Sequence, residues 1–152
     1  MKPLLLASTL ALLPLAAQAQ TRPDHAIDMT AVLNDEHGRP VKDTLAMLPD
    51  GRPCVAPAKP GEAPNLDACP PLTLGHAIAH VLYADLPGDK VTGDQKFAYA
   101  VLAQKIADDK AAALTVGEIA VIKRRLGEAY SGVILAQAYP LLDPNAKPPE
   151  IK

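Results

Sequence analysis

The distribution of proline constrains the fold of this 152-residue chain more than any other feature. Seven prolines stand between positions 49 and 71, whereas positions 72 to 139 contain only Pro87. Proline lacks a backbone N–H and disfavours helical geometry at the preceding residue, so the first stretch is expected to be irregular and the second can be helical. We predict a Pro-rich linker at 49–71 and a helical domain at 72–143.

The N-terminus has the features of a secretory signal peptide. Lys2 gives a positive start, residues 4–17 are mostly apolar, and the Ala-Gln-Ala ending at Ala19 is a pattern that signal peptidases cleave. We predict a signal peptide at 1–19, cleaved between Ala19 and Gln20, and a periplasmic or secreted mature protein. The alternative is an uncleaved anchor, but the run is shorter than the about 20 apolar residues that span a bilayer. No membrane span is expected after cleavage.

An oxidising compartment favours a disulfide between the two cysteines, Cys54 and Cys69. They enclose a segment with almost no pattern typical of regular structure, and closing such a loop stabilises a protein by about 3 kcal/mol. Two free thiols or a metal-binding pair are the alternatives, but the spacing is poor for metal ligands and no histidine is adjacent. We therefore predict a structural disulfide in the linker.

The N-terminal segment at 20–48 contains a possible β-hairpin. Short apolar runs at 29–33 and 41–45 flank residues 34–40, which are rich in Asn, Asp and Gly and are typical of a turn. Two short strands are marginally stable alone, so we expect them to pack on another part of the chain.

Capping residues predict four helices downstream. Thr73 follows two prolines and is expected to begin a helix that ends near position 84. Thr92 and Thr115 each begin a capping-box pattern, which predicts a second helix at about 93–108 and a third that begins after Thr115. Ser131 is expected to cap a fourth helix that ends near position 142.

The second predicted helix is apolar on two sides. Phe97 and Val101 fall on one face, and Leu102 and Ile106 fall nearly opposite. Because a helix that is apolar on two faces usually packs on both, we place this helix at the centre of a core formed by residues 72–142. The predicted fold class is mainly α, a small four-helix domain preceded by a short β-hairpin-like segment and the Pro-rich linker, with a disordered tail at 144–152.

Several motifs of the helical half occur in a recognisable order. They are Leu72-Thr73-Leu74-Gly75, Thr92-Gly93-Asp94-Gln95-Lys96, Gln104-Lys105-Ile106, Leu114-Thr115, Glu118-Ile119, Ile122-Lys123, Gly127, Tyr130 and Gln137-Ala138-Tyr139, after a turn with Asp35, Gly38 and Pro40. In this order they resemble small uncharacterised helical proteins of tailed bacteriophages and prophages. The resemblance implies a small helical accessory or assembly factor and names no chemistry. Those proteins are normally cytoplasmic, whereas this chain has signal-peptide features and an inserted segment rich in proline with two cysteines.

His76 and His80 are the most specific candidates for a chemical site. They lie four residues apart on the first predicted helix, so both imidazoles are within reach of one Zn or Cu ion. A zinc protease would need a glutamate at Ala77, which excludes that class. A metal would require a further ligand, from Asp85 or from the N-terminal region. Two solvated histidines opposite the core are the alternative.

The remaining composition narrows the class of function. A formal charge of −2 argues against nucleic-acid binding, which usually needs a basic surface. The basic run Lys123-Arg124-Arg125 points in three directions around its helix and is expected to be a solvated face. Ser131 has no recognisable base nearby, and no glycine-rich phosphate loop is present. We predict no catalytic site and no resident cofactor, and expect a non-enzymatic module that binds another protein.

Overall fold

Four helices and one antiparallel strand pair form the regular structure of residues 26–55, 61–107 and 110–145, which the computed structural model describes. The helices are α1 (Leu74–Tyr83), α2 (Gly93–Ala107), α3 (Val116–Ala129) and α4 (Gly132–Leu142), and the strands are β1 (Ile27–Asp28) and β2 (Ala111–Ala112). The predicted fold class, a small and mainly helical domain with a short antiparallel pair, is confirmed. The predicted signal peptide, its cleavage site between Ala19 and Gln20, and the tail from 146 onwards lie outside the described residues.

The predicted helix starts are confirmed in the structure. Thr73 Oγ1 accepts a hydrogen bond from the backbone N–H of His76, and Thr92 Oγ1 accepts one from that of Gln95. Thr115 and Glu118 form a complete capping box, in which each side chain accepts from the other residue's backbone N–H. These bonds satisfy backbone donors that the first turn of a helix leaves without partners.

The start of α4 differs from the prediction in its chemistry. Ser131 occupies the N-cap position, but its side chain makes no capping hydrogen bond. The serine contributes its backbone carbonyl instead, which accepts from Ile134 and Leu135 at 3.1 Å. Pro140 lies in the last turn of α4 and does not prevent the helix from reaching Leu142.

The central helix is α1, which contacts both α2 and α3, and the prediction that α2 is central is wrong. Helix α1 buries Leu74, Ala77, Ile78 and Val81, among others, against its neighbours. Helix α2 buries only one of its two apolar faces, and the other leaves Phe97 72% exposed and Val101 50% exposed. The exposed face carries these two large apolar residues, and it is not part of the core.

The N-terminal segment contributes to the core, which therefore extends beyond the predicted 72–142. Ile27, Met29 and Leu33 are buried in the same apolar cluster as the helices, and Ile27 lies opposite Ala112 in the strand pair. The backbone of Met29 accepts a 2.9 Å hydrogen bond from the N–H of Gly75. A Cβ at Gly75 would lie only 3.0 Å from that carbonyl oxygen, so glycine permits the close approach.

The predicted turn is present at the tip of the N-terminal segment. Asp35 Oδ1 accepts from the backbone N–H groups of His37 and Arg39, and Gly38 has a positive φ of 75°. The residues on both sides of the turn form hydrogen bonds with the residues that precede α1. The backbone N–H of Leu33 donates to Leu72 and that of Leu72 donates to Val41. The N-terminal segment is therefore attached directly to the start of α1.

The predicted disulfide is confirmed. Cys54 and Cys69 are bonded, with a sulfur–sulfur distance of 2.07 Å, and both are buried. The Cys69 end of the linker also contacts the N-terminal segment, because Lys42 Nζ donates to the Cys69 carbonyl at 3.0 Å and the N–H of Asp43 donates to that of Pro70 at 2.8 Å. The linker is thereby fixed to the folded domain at both cysteines.

Arg125 contradicts the prediction that the basic run is a solvated face. Its side chain is only 1% exposed, and its guanidinium donates to the carbonyls of Val81 and Ala84 at the end of α1. It also forms an ion pair with Asp89 and lies over the ring of Tyr99 at 5.1 Å from the centroid. Arg125 therefore acts as a C-terminal cap for α1 that is supplied by another helix.

Among the described residues, no helix combines the length and the hydropathy that crossing a membrane would require.

Candidate functional site

A cleft of about 490 Å³ opens between the N-terminal segment, α1 and the C-terminal end of α3. Polar groups in its lining include Asp43, His80 and Tyr130. We call this site the His80 cleft. Most of its wall is apolar and comes from Val41, Leu45, Leu72, Val81, Ala84, Leu86 and Ala129. An apolar cleft with a few polar groups is typical of ligand-binding sites.

Asp43 joins the N-terminal segment to α1 through a buried carboxylate. Its Oδ2 lies 2.8 Å from Nδ1 of His76, and its Oδ1 lies 3.4 Å from Nε2 of His80. The side chain of Asp43 is completely buried, and its Oδ1 also accepts from the N–H of Leu45 at 3.2 Å. The sulfur of Cys54 lies 3.1 Å from the Asp43 carbonyl oxygen, so the disulfide packs directly behind this residue.

The two histidines share one face of α1, as their spacing predicted, but their surroundings differ. The side chain of His76 is 59% exposed, whereas that of His80 is 22% exposed and lines the cleft. Their ring centroids are 6.4 Å apart. The alternative of two solvated histidines therefore describes His76 and fails for His80, because the N-terminal segment covers part of its ring.

The further ligand predicted for a metal comes from Asp85 or from the N-terminal region. The structure places Asp43 beside both imidazoles, whereas Asp85 forms an ion pair with Lys96 at 2.5 Å. Within residues 26–55, 61–107 and 110–145, no group of three His, Cys, Asp or Glu side chains is arranged to hold a metal ion. Binding of Zn or Cu by His76 and His80 stays a prediction.

The cleft alters the protonation of two of its groups. Burial lowers the pKa of His80 and the neighbouring His76 lowers it further, while the carboxyl of Asp43 opposes both effects. Burial, reinforced by Asp43, raises the pKa of Tyr130 to about 12. At neutral pH His80 is therefore a neutral imidazole and Tyr130 a neutral phenol. Both can exchange hydrogen bonds with a ligand without carrying a charge.

Asp43 and Tyr130 were not predicted as site residues. Asp43 lies 33 positions before His76, and no local pattern distinguishes it from the other turn aspartates of the segment. Tyr130 follows the last residue of α3. The expectation that the N-terminal segment packs on another part of the chain was the one indication that a residue such as Asp43 could reach a helix.

The lowered pKa of His80 predicts a loss of stability on acidification. The ordinary pKa is 6.5, so the unfolded chain binds a proton at His80 before the folded protein does as the pH falls. The free energy of unfolding should therefore decrease as the pH falls from above 6.5 towards the lower pKa of the folded state. Urea unfolding between about pH 7.5 and 5 measures this decrease. In His80→Gln the free energy of unfolding should change less over the same pH range.

His37 offers a matched control for this prediction, because it lies in an exposed turn and its ring is 65% exposed. His37→Gln should keep the pH dependence of the wild type. An unchanged slope in His80→Gln would contradict the prediction.

Comparison of the chain with protein-family models, with curated proteins and with solved structures finds no match. The resemblance to bacteriophage proteins consequently stays a prediction.

Proposed function

We propose that this chain is an exported, non-enzymatic binding module, and that its His80 cleft takes an apolar segment of another protein. The observation that carries the proposal is the cleft itself, an open apolar concavity with Asp43, His80 and Tyr130 among its polar groups. An apolar surface of this kind gains free energy when a partner covers it, and a few polar groups set the orientation of the partner.

Exposed apolar side chains near the cleft support the proposal that the partner is a protein. Leu45 lines the cleft and is exposed, and Met47, two residues further along the same loop, is exposed as well. Burying each would contribute about 1.5–3 kcal/mol. Large apolar side chains that a folded domain leaves in water beside a concavity are typical of interaction surfaces.

The polar groups of the cleft suit a peptide backbone. A neutral imidazole donates from one nitrogen and accepts at the other, and a phenol both donates and accepts. Because Nε2 of His80 already faces Asp43 Oδ1 at 3.4 Å, the imidazole has one nitrogen left for a ligand. This nitrogen and the Tyr130 hydroxyl can together satisfy N–H and C=O groups of an extended segment whose apolar side chains enter the cleft.

Filling the cleft tests the proposal. Ala129 lines it from the end of α3 and is exposed, so Ala129→Trp should occupy the cavity and leave the core intact. Peptides selected from a displayed random library on the wild-type protein are expected to carry an apolar anchor and to lose at least about tenfold in affinity for Ala129→Trp. Fluorescence anisotropy with labelled peptides measures the loss.

Ala120→Trp is the matched control, because Ala120 is exposed on the same helix and does not line the cleft. It should bind the selected peptides as the wild type does. Selection of no specific peptide, or equal binding to both tryptophan variants, would contradict the cleft as the binding site.

Export is the second part of the proposal. The Cys54–Cys69 disulfide and the signal-like pattern before Gln20 support it, because structural disulfides persist in oxidising compartments. The full chain expressed in a Gram-negative host should be recovered from the periplasm with Gln20 as its first residue, as measured by intact mass and N-terminal sequencing. Ala19→Arg should block cleavage. Recovery of the uncleaved chain from the cytoplasm would contradict export and favour the phage-related alternative.

A further inference from the structure

Helix α2 carries a stripe of residues that are exposed in the described structure. Asp94, Ala98, Val101 and Lys105 are all exposed along it, and Phe97, which is 72% exposed, stands beside it. We call these five residues the α2 face. None of them lines the His80 cleft, so the α2 face is a separate surface.

The spacing of the stripe is symmetric. Its four positions are separated by four, three and four residues, so the stripe has the same pattern when it is read in either direction. This spacing also keeps the positions on one side of a helix, as in the seam of a coiled coil. A two-fold axis through the middle of the stripe would place Ala98 beside Val101 of a second copy, with the two helices antiparallel.

The charges at the ends of the stripe favour the same arrangement. In the antiparallel pair, Asp94 of one chain lies beside Lys105 of the other, and this happens twice. In a parallel pair, like charges would meet at both ends. Lys105 Nζ already donates to Glu118 at 2.9 Å, and an ammonium has three donors, so it can bind both carboxylates.

A groove next to the stripe provides a place for Phe97. It has a volume of about 420 Å³, lies between α2 and α3, and is lined by Ala98, Val101, Leu102, Lys105 and Val121, among others. The two-fold axis brings Phe97 of the second copy to the level of Leu102, at this groove. The face therefore carries both a projecting aromatic ring and a hollow to receive it, which is the self-complementarity that a two-fold dimer requires.

We propose that the α2 face is a homodimer interface, in which two copies of this chain pair antiparallel along α2 and each inserts Phe97 into the groove of the other. Both ends of the pair are closed by Asp94 and Lys105 from opposite chains.

Sedimentation velocity of the disulfide-bonded protein, from micromolar to near-millimolar concentration, tests this proposal. The wild type should shift from monomer to dimer over this range, and Phe97→Glu should remain a monomer throughout. Tyr83→Glu is the matched control, because Tyr83 is an exposed aromatic residue on α1 and should leave the dimer intact. A wild type that is monomeric at every concentration, or a Phe97→Glu protein that still dimerises, would overturn the proposal.

Charge exchange tests the antiparallel register. Asp94→Lys and Lys105→Glu should each weaken self-association at least about tenfold, because each places like charges together twice. The double variant Asp94→Lys/Lys105→Glu restores opposite charges in the antiparallel pair and should recover dimerisation, with circular dichroism confirming that each variant is folded. A folded double variant that stays monomeric would overturn the register.

Discussion

Replacing Arg125 with methionine is expected to lower the free energy of unfolding by about 3–5 kcal/mol. The side chain is buried, and its removal leaves the carbonyls of Val81 and Ala84 without their donors and Asp89 without its cation. Methionine preserves much of the apolar volume, so the loss reports the hydrogen bonds and the charge more than a cavity. Because small domains are stable by about 5–15 kcal/mol, this is a large fraction of the total.

Urea unfolding followed by circular dichroism measures this effect, and Arg124→Met is the matched control. Arg124 is exposed and donates one hydrogen bond to the hydroxyl of Tyr99, so its replacement should cost about 1 kcal/mol or less. The loss of stability in Arg125→Lys should lie between those of Arg125→Met and Arg124→Met, since lysine keeps the charge but cannot reproduce the planar fork of donors. Equal effects of Arg125→Met and Arg124→Met would show that the buried guanidinium does not stabilise the end of α1.

Removing the disulfide by Cys54→Ala/Cys69→Ala is expected to destabilise the protein by about 3 kcal/mol. The bond closes a loop with a sequence separation of 15 residues, and in the chain-entropy view it restricts the unfolded chain. It also packs behind Asp43, so hydrogen exchange at the backbone N–H of Asp43, which donates to Pro70, should become faster. Thermal unfolding with and without a reductant measures the change in stability.

The reductant itself supplies the control for this prediction. It should lower the midpoint of unfolding of the wild type and leave that of the double alanine variant unchanged. A wild type that is equally stable when oxidised and when reduced would contradict a stabilising role for the bond.

The parts of the fold that depend on neighbouring residues could be predicted from the sequence. Thr73, Thr92 and Thr115 each cap a helix through groups three positions away, so the chemistry of each start is visible locally. The disulfide could be predicted as well, because the chain has only two cysteines and they enclose an irregular segment.

The roles of Arg125 and Phe97 could not be predicted, because they depend on which helix lies next to which. An arginine in a basic run has the pattern of a solvated residue, and only the position of the end of α1 shows that Arg125 is buried. Phe97 has the residue type of a core position, yet no described element covers it. Local periodicity gives the faces of a helix but not the neighbours of each face.

The candidate site could be predicted in part. Spacing alone placed His76 and His80 on one face of a helix, and the structure keeps them there. Their shared partner, Asp43, comes from a separate segment that reaches α1 through backbone hydrogen bonds at Leu33, Leu72 and Gly75. A contact of this kind is set by tertiary packing and has no local signature.

The strand pair determines the order in which the domain can be completed as the chain is made from its N-terminus. Ile27 is synthesised early, but its partner Ala112 follows 112 − 27 = 85 residues later. Helices α1 and α2 can form in the meantime, whereas the apolar surface that Ile27 covers stays open until the connection to α3 has emerged. Bringing together residues so far apart in sequence costs loop-closure entropy and slows folding. Closure of the core by its first strand is therefore expected to be a late event in the formation of this protein.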